Sequence, residues 1–182
     1  SLSGQNNILD IAKKAYSFSL NLQNTDGSWD YGINSEEKSE IQLDFHQGFI
    51  IDSILELGKF KPLSKTNSEI LKKGISCYEK HFVDGLSYYR YPKFYPIEIH
   101  NQAQGIITFS KISKVNKAMT IFEKTVEKMY DSKNNIFYYQ AGYMYKNKSN
   151  YLRWSQAWMI YALITLLENI KSVNNVNKDF YE

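Results

Sequence analysis

Apolar residues recur along the chain every three or four positions, which is the spacing of one face of an α-helix. The first such stretch is apolar on one side only, whereas the second, fourth and sixth are apolar on most sides after a polar opening. This alternation predicts an all-α protein in which amphipathic outer helices cover buried inner helices. The predicted helices lie at about residues 7–23, 43–58, 66–82, 97–112, 115–130 and 152–171.

An aromatic-rich turn precedes each inner helix, and the whole unit occurs three times with a period of about 55 residues, near the upper end of known repeat lengths. Each inner helix contains a glutamine followed by a small residue, which lets neighbouring helices approach closely. The pattern predicts an α/α toroid of three helical hairpins with short extended aromatic turns, about half of a six-hairpin barrel. The copies combine Trp29-Asp30-Tyr31 with Gln47-Gly48, Tyr88-Tyr89 with Gln104-Gly105, and Phe137-Tyr138-Tyr139 with Gln156-Ala157.

A single domain is expected over residues 1–171, followed by a frayed polar tail at 172–182. Half of a ring exposes an apolar edge, because repeats cannot bury their faces alone. Self-association, or further hairpins of a longer parent chain, would cover that edge. The start at Ser1, without a methionine, suggests a part of a longer protein, and the absence of a signal peptide gives the expectation of a cytoplasmic location.

Composition argues against several functions. The net charge is +3, and the basic residues are scattered along the 182 residues rather than gathered into a block, which disfavours nucleic-acid binding.

Cys77 is the only cysteine, so no intrachain disulfide forms, and its helical setting predicts a buried packing residue. No stretch reaches the roughly 18 to 20 apolar residues of a membrane span. Neither a Gly-rich phosphate loop nor a metal-ligand spacing occurs, so no cofactor and no metal are expected.

Polar residues gather at the start of every inner helix. The three openings are Asp44-Phe45-His46-Gln47, Glu98-Ile99-His100 and Arg153-Trp154-Ser155-Gln156. If the inner helices surround one axis, these groups meet at one mouth. The candidate catalytic residues are Asp44, His46, Glu98 and His100. The candidate substrate-binding residues are Trp29, Gln47, Tyr88, Gln104, Arg153, Trp154 and Gln156.

Structural roles stay open for the same residues. Acids at helix starts serve as caps, a histidine there can simply be hydrogen-bonded, and Trp29, Tyr88 and Phe137 can plug the hairpin ends as core. In the functional alternative, the two acids hydrolyse a glycosidic bond. A His or Tyr base, with Arg153 neutralising a substrate carboxylate, would instead suit elimination or epimerisation beside a uronate carboxyl.

Several segments resemble those of an uncharacterised bacterial and archaeal family whose members occur among polysaccharide and capsule biosynthesis genes. The resemblance implies an α/α-toroid, carbohydrate-active protein of cell-surface polysaccharide metabolism. Members of the family are generally longer at the N-terminus, so the resemblance also implies that this chain is the C-terminal part of a longer protein. Glu98 stands where relatives often have Asp. Some members are labelled δ-aminolevulinic acid dehydratase, an enzyme whose barrel three helical hairpins cannot form. The segments that carry the resemblance, within about residues 8–170, are Asn24-Thr25-Asp26-Gly27-Ser28-Trp29, Asp44-Phe45-His46-Gln47-Gly48-Phe49, Tyr95-Pro96-Ile97-Glu98-Ile99-His100-Asn101-Gln102-Ala103-Gln104, Tyr138-Tyr139-Gln140 and Arg153-Trp154-Ser155-Gln156-Ala157-Trp158.

A second resemblance links Gln23 and Asp26-Gly27-Ser28-Trp29 to the Gln-to-Trp motif of triterpene cyclases. Their Asp-rich catalytic motif is absent, so we interpret the likeness as architectural. The favoured hypothesis is a glycan-acting protein in which His46 and His100 are acid/base or hydrogen-bonding residues and Arg153 is the anion partner. The alternatives are a non-catalytic glycan-binding or assembly module and a terpenoid-cyclase-like toroid without its catalytic motif.

Overall fold

The computed structural model describes residues 2–33 and 39–179, which form mainly α-helices joined by short antiparallel strand pairs. The chain divides into two compact units, Ser1–Lys80 and His81–Glu182, here called unit 1 and unit 2. The six predicted helices are confirmed, with ends that differ by a few residues. They are α1 Leu2–Asn21, α2 His46–Gly58, α3 Lys65–Glu79, α4 Ile99–Lys111, α5 Val115–Met129 and α6 Trp158–Asp179.

Short strands supply the extended connections between the helices. The pairs are β1 Gly32–Ile33 with β2 Ser39–Glu40, β3 Phe82–Val83 with β4 Leu86–Ser87, β5 Ile97–Glu98 with β8 Gln140–Ala141, β6 Tyr130–Asp131 with β7 Ile136–Phe137, and β8 with β9 Lys146–Asn147. Between β3 and β4, Asp84 and Gly85 both adopt positive φ angles, of 50° and 78°. Two such residues in succession make the tight turn that matches the twist of a hairpin.

The core of unit 1 forms around the indole of Trp29. Trp29 is 2% exposed, and its Nε1 donates a hydrogen bond to the Ser19 carbonyl at 2.9 Å. Gly74 of α3 lies against the same ring, so closely that a Cβ there would come within 2.5 Å of it. Cys77 is buried, and burial raises the pKa of its thiol. α1 and α3 thus close over the aromatic turn that precedes α2.

The core of unit 2 is helix α4, which packs against both α5 and α6. Every residue from Ile99 to Ser110 is buried. Gly105 allows Phe82 to approach the α4 backbone, because a Cβ at this position would overlap the Phe82 ring. A small residue in an inner helix therefore has the packing role that the sequence predicted, at this position at least.

The prediction that all three inner helices are buried on most sides is wrong for α2 and α6. In α2 only Gln47, Gly48, Ile51 and Ile54 are buried. In α6 the side chains of Ile160, Tyr161, Ile164 and Leu167 are exposed. Four apolar residues of the predicted α1 stripe, Ile8, Ile11, Phe18 and Leu22, are exposed as well. Local periodicity marks an apolar face, but burial also needs a neighbour on that face. In unit 2, helix α4 has such neighbours in both α5 and α6.

Helix α6 continues beyond the predicted end of the domain. Its last residue is Asp179, so the helix includes residues 172–179 of the segment predicted as a frayed tail. Residues 180–182 of that segment lie outside the described residues. Within 2–33 and 39–179, no helix combines the length and apolarity required to cross a membrane.

Candidate functional site

Glutamine side chains fasten the aromatic turns to the helices that follow them. Gln47 Oε1 accepts a hydrogen bond from the Trp29 amide at 2.9 Å, and Gln47 Nε2 donates to the Trp29 carbonyl at 2.7 Å. Gln156 makes the same pair of bonds with Phe137, at 3.1 and 2.8 Å. Both functions of each amide are thus used on the backbone of one aromatic residue.

The corresponding glutamine of the middle repeat is Gln102. Its Oε1 accepts from the Ser87 amide at 2.8 Å, and its Nε2 donates to the Gly85 carbonyl at 3.0 Å and to Thr125 Oγ1 at 2.9 Å. The predicted register, with Gln104 in this place, is therefore wrong by two residues. Gln104 Nε2 donates to Thr108 Oγ1 within α4, because residues two apart on a helix point in different directions.

The aromatic residues predicted to bind substrate differ in their exposure. Trp29 lies in the core and Phe137 is 9% exposed, so both positions correspond to the core-plug alternative. Tyr88 is half-buried, and its ring makes edge-to-face contacts with Tyr91 and Phe94, at centroid distances of 5.0 and 5.1 Å.

Asp44 and His46 form a hydrogen-bonded pair at the start of α2. The distance from His46 Nδ1 to Asp44 Oδ1 is 2.6 Å. The Asp44 carboxylate is 4% exposed and held in place by the His46 backbone amide at 3.1 Å and by Gln42 Nε2 at 2.6 Å. The His46 side chain keeps 29% of its surface exposed. A buried acid thus orients a partly exposed imidazole.

Three aromatic rings surround the imidazole of His46. Phe45 stacks on it at a centroid distance of 4.1 Å. Tyr31 and Phe49 contact it edge-on at 4.8 and 5.6 Å. These rings restrict the orientation of His46 and give the partly exposed imidazole apolar surroundings, in which electrostatic interactions are stronger than in water.

His100, the second candidate histidine, is buried in unit 2. Its ring lies between Trp154 and Trp158, at centroid distances of 4.9 and 4.8 Å, and is 1% exposed. Trp154 is 40% exposed, so it presents one part of its ring system to solvent. In this conformation a ligand would meet Trp154 before it could reach His100.

A π-helical segment, Leu152–Ala157, carries Arg153 and Trp154 into α6. π-Helical segments are rare in proteins, and those that occur are often found at functional sites. The Arg153 guanidinium carbon lies 5.3 Å from the centroid of the Trp154 ring, within the range of a cation–π interaction. Arg153 and Trp154 are therefore displayed together on an exposed surface.

A cavity of about 490 Å³ adjoins this segment. Its lining consists of Tyr139, Tyr151, Leu152, Arg153 and Trp154. Tyr139 and Tyr151 meet edge-on at a centroid distance of 5.0 Å. Burial raises the pKa of Tyr139, and the negative charge of Glu98 adds to the shift. The structure thus brings Glu98 into electrostatic range of the cavity wall.

Further cations lie on aromatic rings of unit 2. Arg90 and Lys93 sit over the Tyr89 ring, at 5.3 and 5.5 Å from its centroid. The charge of Tyr89 also contributes to the raised pKa of Tyr139. Aromatic faces beside guanidinium and ammonium groups suit a ligand that has both an apolar ring face and an anionic group.

The candidate residues are distributed over both units. Unit 1 holds Asp44, His46, Gln47 and Trp29, and unit 2 holds Tyr88, Glu98, His100, Gln104, Arg153, Trp154 and Gln156. A common mouth for both groups stays a prediction. Among the described residues there is no group of three His, Cys, Asp or Glu side chains arranged to hold a metal ion.

The helical fold is similar to those of three solved enzymes, which are α/α toroids. A GH76 α-mannanase from Bacteroides thetaiotaomicron superposes with a TM-score of 0.62 at 12% identity, over 79% of this chain and 44% of its own. A family 105 glycoside hydrolase from C. acetobutylicum has a TM-score of 0.62 at 14% identity, over 88% and 51%. A D-mannose isomerase has a TM-score of 0.61 at 16% identity, over 88% and 50%.

The chain therefore spans about half the length of these solved structures. No protein-family model and no curated protein sequence matches it. At such identities the likeness concerns the fold alone. The half-toroid of three hairpins and the polysaccharide-biosynthesis family stay predictions.

Proposed function

We propose that this chain is a carbohydrate-active domain of cell-surface polysaccharide metabolism, in which the Asp44–His46 pair transfers a proton to or from a glycan. The observation that carries the proposal is the 2.6 Å contact between the buried Asp44 carboxylate and Nδ1 of the partly exposed His46 ring. An oriented, accessible imidazole is the most common general acid/base in enzymes.

The tautomer of His46 follows from the chemistry of its partner. An ionised carboxylate can only accept hydrogen bonds. Nδ1 of His46 therefore carries a hydrogen and donates it in the hydrogen bond to Asp44. Nε2 is then the nitrogen with a lone pair, able to take a proton from a substrate. As the imidazolium forms, the adjacent Asp44 charge stabilises it.

Three reactions fit this pair. In elimination at a uronate, Nε2 removes the proton on the carbon beside the carboxyl group, a carbon–carbon double bond forms, and the glycosidic oxygen leaves from the next carbon. In epimerisation, the same carbon regains a proton on its other face. In hydrolysis, His46 would activate water or protonate the leaving oxygen. The fold supports sugar chemistry by analogy, since the similar structures are a mannanase, a glycoside hydrolase and a mannose isomerase.

The cavity at Trp154 supports the binding of an acidic glycan in unit 2. A pyranose ring has apolar C–H faces that pack on an indole, and a uronate carboxylate pairs with a guanidinium. Trp154 and Arg153 supply these two groups on adjacent residues. In this proposal Arg153 neutralises a substrate carboxylate and Trp154 is the stacking platform.

A non-catalytic glycan-binding module is the second candidate function. The observation in its favour is the burial of the His100 ring against Trp154, which itself is 40% exposed. In this case Arg153 and Trp154 would bind a glycan, and His46 would be a structural residue.

Incubation of the chain with neutral and uronate-containing polysaccharides, followed by mass spectrometry of the products, separates the two functions. Hydrolysis adds one water per bond cleaved, elimination adds none, and epimerisation leaves the mass unchanged but alters the sugar composition. Retention of a glycan in affinity electrophoresis without any product supports the binding module. Trp154→Ala should weaken retention, whereas Tyr143→Ala, an exposed aromatic control in the same unit, should not.

A further inference from the structure

A second cavity, of about 560 Å³, lies in unit 1 between the end of α1, the first aromatic turn and α2. Its volume falls within the range of roughly 300 to 1,000 Å³ that is typical of small-molecule sites. Tyr31 lines this cavity, and the same ring contacts His46 at a centroid distance of 4.8 Å. Tyr31 therefore connects the cavity wall to the Asp44–His46 pair.

Exposed aromatic rings form part of the cavity wall. Phe18 is 64% exposed and Tyr31 is 51% exposed, although both belong to residue types that are usually buried at least in part. Trp29 also lines the cavity but is itself buried. Phe18 and Tyr31, rather than the Trp29 predicted from the sequence, are thus the rings in unit 1 on which a sugar could stack.

Oriented polar groups complete the wall. Asn24 Nδ2 donates to Asp30 Oδ1 at 3.0 Å and to Ser28 Oγ at 3.1 Å. The Asn24 backbone is held in turn by the Ser28 carbonyl at 2.9 Å. This network fixes the half-buried Asp30 carboxylate, whose oxygens are acceptors for hydroxyl groups. Fixed acceptors beside exposed aromatic rings are the combination that a sugar ring requires.

The charge of the lining selects among sugars. Asp30 is the one carboxylate among the described lining residues, and none of those residues is Lys, Arg or His. A uronate in this cavity would have its carboxylate near Asp30, and no described lining residue offers a cation to offset the repulsion. A neutral sugar has only hydroxyl groups to place there, and Asp30 accepts hydrogen bonds from them.

We infer that this cavity is a subsite for a neutral hexosyl unit of the glycan, positioned beside His46. The inference rests on the proposed function, because it takes His46 as the group that acts on the adjacent sugar. It adds that the glycan carries a neutral hexose next to the bond or carbon that reacts. Unit 1 would thus recognise a neutral sugar of the glycan.

Calorimetric titration with mannotetraose and with tetragalacturonate, each to about 10 mM, tests this subsite, since weak sites have dissociation constants of about 1 mM. Mannotetraose should bind, and Phe18→Ala, Tyr31→Ala and Asp30→Asn should each weaken its binding about tenfold, a loss of about 1.4 kcal/mol. Phe60→Ala removes a ring that is 79% exposed and lies outside the lining, so this control should bind like the parent chain. Because Phe18 and Tyr31 are exposed, their replacement should leave the fold intact.

The inference is overturned if mannotetraose does not bind, or if it binds with equal affinity to the parent chain and to all three variants. Tighter binding of tetragalacturonate that is lost in Asp30→Asn would also overturn it. His46→Ala distinguishes this failure from failure of the proposed function. If His46→Ala loses turnover but still binds mannotetraose, both the catalytic role of His46 and the neutral-sugar subsite are supported. If turnover is unchanged in His46→Ala, the catalytic role is contradicted. The subsite is then judged from the mannotetraose titrations alone.

Discussion

The side-chain oxygen of Gln102 accepts a hydrogen bond from the backbone amide of Ser87, 15 positions earlier in the chain, at 2.8 Å. This bond, with that to the Gly85 carbonyl, attaches the turn between β3 and β4 to the buried helix α4. Gln47 and Gln156 attach their own turns in the same way. The repeat is thus a structural device that fixes aromatic turns on inner helices.

Replacing Gln102 by Leu should lower the free energy of unfolding by about 2 to 4 kcal/mol. The substitution leaves the Ser87 amide and the Gly85 carbonyl without this partner in a buried place, at roughly 1 to 3 kcal/mol for each unsatisfied group. Gln104→Leu is the comparison, since the hydrogen bond of Gln104 to Thr108 stays within α4. Urea unfolding of both variants checks the prediction, and an equal or larger loss in Gln104→Leu would contradict it.

The spacing of the glutamines in the sequence favours Gln102 over Gln104 as the equivalent residue of the middle repeat. Gln102-Ala103 satisfies the rule of a glutamine followed by a small residue as well as Gln104-Gly105 does. It also makes the separations from Gln47 and Gln156 almost equal, which the choice of Gln104 does not. Gln102 and Gln104 both fit the sequence pattern. Which of them contacts the aromatic turn depends on the direction in which each side chain leaves the helix.

The two acid-apolar-His motifs show why similar sequence does not ensure similar geometry. Phe45, between Asp44 and His46, has a right-handed helical backbone, and the carboxylate and imidazole meet. Glu98 has an extended backbone in β5, and the His100 ring lies between two tryptophans. The spacing is the same in both motifs, yet the His46 side chain keeps 29% of its surface exposed whereas His100 is 1% exposed.

Helix positions were predictable because they depend on local periodicity, whereas burial was not. The exposed Ile160 and Ile164 of α6 have the same spacing as core residues. The cavity lined by Phe18 and Tyr31 was missed for a related reason, since it joins the end of α1 to residues after the turn. Neither a repeat nor a motif marks such a junction in the sequence.

Gly74→Ala should destabilise the chain by about 1 to 3 kcal/mol, as overpacking of a core usually does. The new Cβ would lie 2.5 Å from Trp29 Cη2, and the indole is fixed by its bond to Ser19 and by the Gln47 clamp. Gly58→Ala, whose Cβ would meet Leu63 at an ordinary 3.6 Å, is the matched control and should be neutral or stabilising by up to about 1 kcal/mol. Equal unfolding midpoints for the two variants would contradict the close packing described at Trp29.

Acid should destabilise the first aromatic turn through Asp26. The Ser28 hydroxyl at 2.7 Å and the Ser28 amide at 2.9 Å lower the pKa of the Asp26 carboxyl below its usual value. A carboxyl whose pKa is lower in the folded state contributes stability above its unfolded pKa of about 3.9, and this contribution is lost as pH falls through the folded pKa. Between pH 6 and pH 3, the urea midpoint should therefore fall less in Asp26→Asn than in the parent chain. Parallel pH profiles would show that Asp26 has no such role.

Asp44→Asn should reduce turnover of a glycan substrate by about 10²- to 10⁴-fold, the range associated with general acid/base catalysis. The amide lacks the negative charge that stabilises the imidazolium and that fixes the proton on His46 Nδ1. Circular dichroism verifies that the variant folds, because Asp44 is buried and also bonded to Gln42. Asp10→Asn, which removes an exposed acid from α1, is the control and should retain full turnover.

The most direct test of the catalytic proposal is the initial rate of His46→Ala, relative to the parent chain, on a glycan that the parent chain converts. Removal of the imidazole should lower the rate by at least about 10²-fold. Free imidazole added to the assay should restore part of it, since the cavity left between Phe45 and Tyr31 can admit a small base. A rate within about twofold of the parent chain would contradict the role of the Asp44–His46 pair in proton transfer.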